Sequence, residues 1–350
     1  MFGNLFKRDS GPFRLRIEGH EGAIEVPPKT TLLKAALDQG VPFPHSCRAG
    51  GCATCKCRLV EGKVKELTDK SYLLSAEELR DSYILACQSI PRSDVTVAVQ
   101  LSPEAAEVKF VAGRVAGFRR LTHDILEVTL TLDEPMPYRA GQYADLSVPG
   151  RVSAPRSYSF AQPPARGEAA RVVFHVRLLP GGELSGWLDA ADRTGEEIAL
   201  EGPYGDFWLR DGAAPLLCVA GGTGMAPLKA LLEQAGKDRV RRDVVYLFGA
   251  RTQRDLYCLD DMSRLAETWP AGFRFIPVLS EEPADSGWSG RRGLVTDHLD
   301  DAGLAVADRE AYLCGPPPML DAAIEALRGL GVAERDIHFD KFLDRSDRAS

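Results

Sequence analysis

The first hundred residues alternate apolar and polar side chains in a way that predicts strands around a single helix. Alternation with a period of two is typical of strands that have one buried face. Over residues 32–37 the apolar positions recur at helical spacing instead, and Gly40 follows where a helix typically ends. The predicted strands are 13–17, 23–26, 57–60 and 95–99. We therefore predict a small α+β domain over residues 13–101.

The remaining two stretches differ in how their apolar segments are separated. From residue 108 to 208, short strands follow one another through turns rich in Gly and Pro, which is typical of an antiparallel β-barrel. From residue 213 to 345, apolar strands are each followed by a helical segment, which predicts a parallel sheet with helices on both faces. Examples of the predicted barrel strands are 110–115, 125–130, 142–148 and 171–177, and the strands of the last stretch are predicted at 216–220, 244–249, 273–279 and 311–314. Residues 102–107 between the first two domains are predicted to be a linker.

Composition and charge narrow the class of protein. The chain has 350 residues, of which 44% are hydrophobic and 27% charged, with a formal net charge of −7. The acidic excess lies after residue 101, and it argues against a nucleic-acid partner because such proteins present a basic face. Residues 1–8 lack the apolar core of a signal peptide, and no apolar run is long enough to span a bilayer. We therefore expect a cytoplasmic protein without disulfides.

Cysteine spacing is the strongest chemical feature of the sequence. Four cysteines follow the plant-type [2Fe–2S] pattern of C-x4-C-x2-C and one distant Cys, namely Cys47, Cys52, Cys55 and Cys87. Gly50 and Gly51 would permit the backbone turns that aim N–H groups at sulfur. A four-cysteine zinc site is the alternative, although such sites usually pair two C-x-x-C motifs. Cys57 is predicted to be a strand residue and His45 a loop residue, neither of them a ligand.

Two segments of the predicted barrel suit a flavin dinucleotide. Arg156 and Tyr158 share one face of a predicted strand, where a guanidinium can bind a diphosphate and a phenol can pack on a ring system. Ser159 adds a hydroxyl group at the next position. About twenty-five residues later, Gly182 and Ser185 lie in a Gly-rich turn before a predicted helix, where N–H groups can face an anion. The two segments together predict an FAD site.

Two strand ends in the last domain are predicted to meet at a nicotinamide site. A Gly-rich turn over 221–227 joins an apolar strand to a helix, although a proline replaces the third glycine of the dinucleotide-binding fingerprint. A second turn, 313–319, also follows a strand. Ligands of open parallel sheets bind at the carboxyl ends of strands. Cys314 lies in this second turn, whereas Cys218 and Cys258 are predicted to be ordinary core residues.

These motifs, in this order, resemble the ferredoxin–NAD⁺ reductase-type components of bacterial multicomponent oxygenases, such as those of xylene monooxygenase, phenol hydroxylase and benzoate dioxygenase. The resemblance extends from about Phe13 to Phe342. It implies a β-grasp ferredoxin domain, an antiparallel barrel that binds FAD and an α/β domain that binds nicotinamide. It also implies that electrons pass from NADH through FAD and a [2Fe–2S] cluster to a partner mono- or dioxygenase, with membrane association only through that partner.

The resemblance also implies roles for individual residues. The cluster ligands would be Cys47, Cys52, Cys55 and Cys87. The cofactor-binding residues would be Arg156, Tyr158, Ser159, Gly182, Ser185, Gly221, Gly222, Thr223, Gly315, Pro316 and Phe342. Those closest to the reacting atoms would be Ser159, Cys314, Asp340 and Phe342, with the Phe342 ring stacking on the flavin and yielding to nicotinamide. Eight residues follow Phe342, unlike relatives that end there.

Several alternatives stay open at this point. The acceptor could be a non-oxygenase enzyme such as a deoxysugar dehydrase, or the chain could be a redox sensor with a structural cluster. NADH is favoured over NADPH, although Arg251 or Arg254 could hold a 2′-phosphate. Arg48, Lys56 and Arg58 flank the cysteine loop, where they could form a docking face for an acidic partner or simply balance the negative charge of thiolates.

Overall fold

A mixed β-sheet forms the part of the chain that precedes Lys109. Its strands are β1 (Phe13–Ile17), β2 (Ile24–Val26), β3 (Lys56–Glu61), β5 (Tyr83–Leu85) and β7 (Val95–Ala98), while β4 (Val64–Glu66) and β6 (Ser89–Pro91) form a separate antiparallel pair. The order across the sheet is β2-β1-β7-β3-β5. The pairing of β1 with β7 is parallel and the others are antiparallel. The predicted α+β ferredoxin-like architecture is confirmed.

Two helices accompany this sheet, α1 (Leu32–Asp38) and α2 (Ala76–Arg80). The Thr31 side chain caps α1 by accepting a hydrogen bond from the Lys34 N–H. Gly40 follows with φ of +73°, the left-handed conformation that glycine adopts at low cost after a helix. Leu32, Leu33 and Ala36 of α1 are buried in the core of this unit and Leu37 packs against it, as their helical spacing predicts.

The next hundred residues form a curled antiparallel sheet. Its strands are β8 (Lys109–Arg120), β9 (Ile125–Pro137), β10 (Tyr143–Ser147), β11 (Arg156–Ser159), β12 (Glu168–Arg177) and β13 (Glu197–Tyr204), and α3 (Glu183–Asp189) lies between the last two. The order is β11-β10-β13-β8-β9-β12. A bridge between Phe160 and Phe174 brings the two edges together, and alternate residues of the strands fill the interior. The predicted barrel is confirmed.

A six-stranded parallel sheet follows. Its strands are β14 (Leu216–Gly221), β15 (Val244–Ala250), β16 (Phe273–Leu279), β17 (Arg291–Arg292), β18 (Glu310–Gly315) and β19 (Ile337–Lys341), and its helices are α4 (Met225–Lys237), α5 (Leu259–Thr268) and α6 (Pro317–Gly329). The order is β17-β16-β15-β14-β18-β19, so β14 is central. Two apolar clusters bury the sheet, as the strand–helix alternation predicts.

The computed structural model describes residues 12–101, 108–165, 167–300 and 306–342. The chain separates into two units, one N-terminal to Lys109 and one spanning Lys109–Phe342. The predicted linker 102–107, residues 1–8 and residues 343–345 lie outside the described residues, and the domain limits proposed from the sequence stay predictions. Among the described residues, no helix is both long and apolar enough to cross a membrane.

A buried carboxylate ties together the strand starts at one edge of the parallel sheet. Glu310 accepts hydrogen bonds from the Tyr312 hydroxyl at 2.5 Å and from His338 Nε2 at 2.8 Å, and it pairs with the Arg242 guanidinium. Burial alone would raise the pKa of this carboxyl, but these three hydrogen bonds outweigh it and lower the pKa to about 2. The ionised carboxylate of Glu310 therefore stabilises the folded state.

Replacing Glu310 with glutamine should lower the free energy of unfolding by about 3 kcal/mol at pH 7, because it leaves the buried Arg242 guanidinium without its counter-ion. A carboxyl group with a depressed pKa contributes its full stabilisation of the folded state at pH values above its unfolded pKa of about 4.3. That stabilisation is lost as the pH falls towards 2. Urea unfolding at several pH values should thus show wild type and variant converging below pH 4. Glu197→Gln, which breaks an exposed pair with Arg114, should change stability little. A pH-independent difference would contradict this account.

Candidate functional site

The cysteine loop between α1 and β3 turns sharply three times. Arg48, Gly50 and Ala53 have φ values of +52°, +84° and +56°, in the left-handed region that side chains other than glycine rarely adopt. Gly50 also packs closely, since a Cβ atom there would lie 2.8 Å from Gln88 Cγ. The expected role of Gly50 is thus supported by geometry, whereas Gly51 is outside the left-handed region.

These turns aim hydrogen-bond donors at sulfur. The N–H groups of Ala49 and Gly51 lie 3.4 and 3.3 Å from Cys47 Sγ. The Cys47 N–H and the Thr54 hydroxyl lie 3.4 and 3.3 Å from Cys52 Sγ. Such donors stabilise thiolate charge, and around a metal cluster they tune its potential.

The four predicted ligands form two contacting thiol pairs. Cys47 contacts Cys52, and Cys55 contacts Cys87, which lies in a 3₁₀ turn (Ala86–Gln88) after β5. The Cys52 thiol and the N–H groups of the loop lower the pKa of Cys47 to about 7 against the effect of burial. All four are free thiols and three are buried. Four convergent sulfurs ringed by N–H donors fit a [2Fe–2S] cluster.

The other residues near the loop pack or form polar contacts within the protein. Cys57 lies on β3 with its side chain in the apolar core, where burial raises the pKa of its thiol to about 12. His45 is buried in the loop, with Nδ1 2.8 Å from the Phe43 carbonyl oxygen. Lys56 is paired with Glu78 at 2.6 Å, while Arg58 is exposed. The Tyr72 hydroxyl, on an exposed ring, donates to the Gly50 carbonyl at 2.5 Å.

The predicted flavin residues lie on β11, at an edge of the curled sheet. Arg156 and Tyr158 are half-buried on one face and Ser159 is buried opposite Tyr143 of β10. Burial raises the pKa of Tyr158 to about 12, so its hydroxyl is neutral at physiological pH. The predicted shared face of Arg156 and Tyr158 is thus what the strand provides.

Arg156 is engaged by groups that the sequence does not reveal. Its Nη1 donates to the carbonyl oxygens of Ala154 and Pro155 at 2.7 and 3.1 Å. Its Nη2 donates to Glu183 Oε2 at 2.8 Å, which links β11 to the first residue of α3. The same oxygen accepts the Ser153 hydroxyl at 2.7 Å. Arg156 therefore already binds an anionic oxygen, which fits a residue that binds a diphosphate.

Ser185 braces the Gly-rich turn before α3. Its buried Oγ accepts the Leu179 N–H at 3.3 Å, which leaves its hydroxyl proton free to donate. Gly181 has φ of +71°, and a Cβ atom at Gly182 would lie 2.4 Å from Ser185 Oγ. The two glycines are therefore needed for the turn itself, whatever it binds.

Both predicted nicotinamide turns meet at the carboxyl ends of adjacent strands. β14 and β18 are parallel neighbours, with Ala220 opposite Cys314. The turn after β14 rests directly on the end of β18, since a Cβ atom at Gly224 would lie 2.0 Å from the Cys314 carbonyl oxygen. Gly221 is equally crowded, with Met319 Sδ 2.6 Å from its hypothetical Cβ. Thr223 is half-buried in this turn and Gly222, Gly315 and Pro316 complete the two turns.

The C-terminal motif also reaches this edge. Asp340 on β19 is buried opposite Cys314, and burial, with a smaller contribution from Asp340, raises the pKa of the Cys314 thiol. The Phe342 N–H donates to the Gly315 carbonyl at 3.0 Å. Cys314, Asp340 and Phe342 are thus brought together as predicted.

Two hydrogen bonds hold the nicotinamide turn and the helix α4 that follows it, and one of them reaches the barrel. Lys229 of α4 donates to the carbonyl oxygen of Ala161, two residues after Ser159, at 3.4 Å. The Tyr257 hydroxyl donates to the Gly222 carbonyl at 3.0 Å. Sequence reasoning missed Gly224, Met319, Tyr257 and Glu183 at these sites. Of these four, only Gly224 has a signal in the sequence, since it lies three positions past the end of β14. The other three depend on long-range contacts.

The two arginines considered for a 2′-phosphate differ in their surroundings. Arg251 pairs with Asp255 at 3.0 Å and with Asp124 of the barrel at 3.5 Å. Asp124 also pairs with Arg177 at 3.1 Å. Arg254 is exposed. The acidic side chains around Arg251 would repel the 2′-phosphate by which NADPH differs from NADH. This environment is therefore consistent with NADH.

Three family models match consecutive parts of the chain. They describe a 2Fe-2S iron-sulfur cluster binding domain over residues 15–92, an oxidoreductase FAD-binding domain over 113–208, and an oxidoreductase NAD-binding domain over 218–325. All three cofactors predicted from the sequence are thereby confirmed.

Similar proteins match over nearly the full length. The xylene/toluene monooxygenase electron transfer component XylA of Pseudomonas putida is 43% identical, over 97% of this chain and 98% of the relative. The phenol 2-monooxygenase reductase component DmpP of Pseudomonas sp. (strain CF600) is 35% identical, over 96% of each. Among solved structures, the Amycolatopsis cytochrome P450 reductase GcoB superposes with a TM-score of 0.80 at 35% identity, over 94% of this chain and 98% of that one.

Proposed function

The chain belongs to the family of NADH-dependent reductase components that serve multicomponent oxygenases through FAD and a [2Fe–2S] cluster, and on that premise we propose that its acceptor is a monooxygenase component acting on an aromatic hydrocarbon. As in the rest of the family, electrons pass from NADH to the oxygenase component. FAD and the cluster together convert the electron pair that NADH delivers as hydride into single electrons.

The observation that carries the choice of partner is the full-length match to the xylene/toluene component, at 43% identity. The phenol and propane monooxygenase reductases match less closely, at 34–36%. A relative of higher full-length identity shares more of the surface residues that can contact a partner, so this match favours a similar partner.

We assign the cluster to the thiolates of Cys47, Cys52, Cys55 and Cys87. The N–H groups of Ala49 and Gly51 stabilise negative charge on the first of these sulfurs, and the Thr54 hydroxyl does so on the second. Left-handed Arg48 and Ala53 hold the loop in the shape that points these donors inward.

We assign the flavin to β11 and the turn before α3. Arg156 supplies a guanidinium for the diphosphate, Tyr158 a ring surface, and Ser159 a hydroxyl at the buried end of the strand. Gly182 and Ser185 shape the turn that borders the same diphosphate.

We assign nicotinamide to the edge where β14 and β18 end. Gly221, Gly222 and Gly315 carry no side chain, so the backbone of both turns can approach a ligand closely, with Thr223 and Pro316 beside them. Cys314, Asp340 and Phe342 are placed beside them, with Phe342 anchored through its N–H to Gly315. The backbone of these two turns would thus orient nicotinamide, with the Phe342 ring beside it.

The partner is tested by reconstitution. The purified chain, NADH, dioxygen and the oxygenase component of a xylene/toluene monooxygenase should together hydroxylate toluene, with NADH consumed in proportion to product. The matched control replaces that component with the oxygenase of an aromatic O-demethylase, whose reductase is 36% identical to this chain. Turnover with the O-demethylase and none with the toluene enzyme would overturn the proposed partner. An anaerobic absorbance spectrum whose flavin and iron–sulfur bands bleach with NADH checks the cofactors independently.

A further inference from the structure

Arg156 is shared between a carboxylate and the ligand it is assigned to bind. Its guanidinium is always protonated and offers five N–H donors in a planar fork. Two neighbouring carbonyl oxygens accept from Nη1, and Glu183 Oε2 accepts from Nη2 at 2.8 Å. Bidentate binding of a phosphate needs two parallel donors of that fork. With Nη1 held by the two carbonyl oxygens, a bidentate phosphate has Nε and Nη2 left to it, and Nη2 is the nitrogen that Glu183 holds.

Glu183 is held at this position by more than one contact. Ser153 donates to the same Oε2 at 2.7 Å, so the carboxylate spans from α3 to the segment that leads into β11. The side chains of Arg156 and Glu183 keep 26% and 38% of their exposure to solvent. An ion pair this exposed is weak enough to exchange, and the Glu183 side chain has solvent to move into.

We propose that Glu183 is a counter-anion that competes with the flavin diphosphate for Arg156 and thereby sets how tightly the chain binds FAD. When the diphosphate binds, the Glu183 carboxylate loses its hydrogen bond to Nη2 of Arg156. Its negative charge then remains near the two negative phosphate groups. Both effects oppose binding, and both vanish when the carboxylate becomes an amide. Glu183 is thus a residue that tunes cofactor affinity, and this role rests on the flavin site proposed above.

Glu183→Gln should lower the dissociation constant for FAD about three- to fivefold at low ionic strength, the range for a partly exposed charge pair. FAD fluorescence quenching on titration into the flavin-depleted full chain measures this directly. The advantage should shrink at about 1 M salt, where the Debye length is about 3 Å. Glu183→Asp retains the charge and should bind FAD within about twofold of wild type.

Two controls separate this inference from its premise. Glu197→Gln breaks an ion pair with Arg114 on the same barrel and should leave the FAD dissociation constant unchanged. Arg156→Ala should weaken FAD binding at least about tenfold, as loss of a charged hydrogen bond does. If Arg156→Ala has no effect, the flavin site is misplaced and the inference falls with it. If Arg156→Ala weakens binding but Glu183→Gln does not tighten it, the competition alone is wrong.

Discussion

Replacing Cys52 with alanine is expected to abolish NADH-driven electron transfer to the oxygenase component, because a [2Fe–2S] cluster is held by four thiolates, while NADH-driven reduction of a small two-electron dye continues. Cys52 supplies one of four convergent thiols, and it is the acceptor for the Cys47 N–H and the Thr54 hydroxyl. The variant loop keeps three sulfurs and loses the group that those two donors face. Its FAD and nicotinamide residues lie in the other unit of the chain and keep their contacts.

Steady-state dye reduction and product formation with the oxygenase would be measured side by side, together with iron content. The chain offers a matched control in Cys57, a thiol on β3 that packs in the core. Cys57→Ala should leave the iron content, dye reduction and electron transfer to the oxygenase unchanged. It should lower the free energy of unfolding by about 1 kcal/mol. Loss of both activities in Cys52→Ala would contradict the order of cofactors, and loss of iron in Cys57→Ala would contradict the ligand assignment.

Local spacing explains why the cluster loop could be predicted from sequence. Three of the four ligands lie within nine residues, Cys47 to Cys55, and the loop's shape follows from residues inside it. The same holds for α1, where Thr31, the apolar positions and Gly40 are all within ten residues. Period-two and strand–helix patterns identified the barrel and the parallel sheet because one face or both are buried.

Elements with weak patterns were not predicted. β4, β6 and β17 have two or three residues each, too few to show a period. β19 has only two buried residues beyond its first, so its motif was noticed while its strand was not. The Glu310 network was also missed, because Arg242, Tyr312 and His338 are far apart in sequence and meet only when the strands align.

Contacts at the cofactor sites were hidden for the same reason. The sequence identifies Arg156 as an anion-binding residue but does not show that its guanidinium donates a hydrogen bond to Glu183. It likewise suggests Arg251 for a 2′-phosphate, without the Asp124 and Asp255 that surround it. Gly-rich turns are visible in sequence, but which glycine is indispensable depends on what lies opposite in the fold.

Gly224 is the glycine that we expect to matter most in the nicotinamide turn. Its φ and ψ of −59° and −15° suit any residue, so backbone conformation does not explain it. A Cβ atom there would instead lie 2.0 Å from the oxygen and 2.5 Å from the carbon of the Cys314 carbonyl. Both belong to the backbone at the end of β18, the strand next to β14 in the sheet, and backbone atoms cannot yield as a flexible side chain would.

Gly224→Ala should therefore push the turn of residues 222–224 away from β18 by an ångström or more, and a shift of about 1 Å at a reacting site can cost roughly 100-fold in rate. We expect kcat/KM for NADH in dye reduction to fall by about that factor, with FAD and iron contents unchanged. Gly329→Ala, at the exposed end of α6 where a Cβ meets nothing within 4 Å, should leave the kinetics intact. Because both variants add one methyl group to the same domain, wild-type NADH kinetics in Gly224→Ala would mean that this turn does not border nicotinamide.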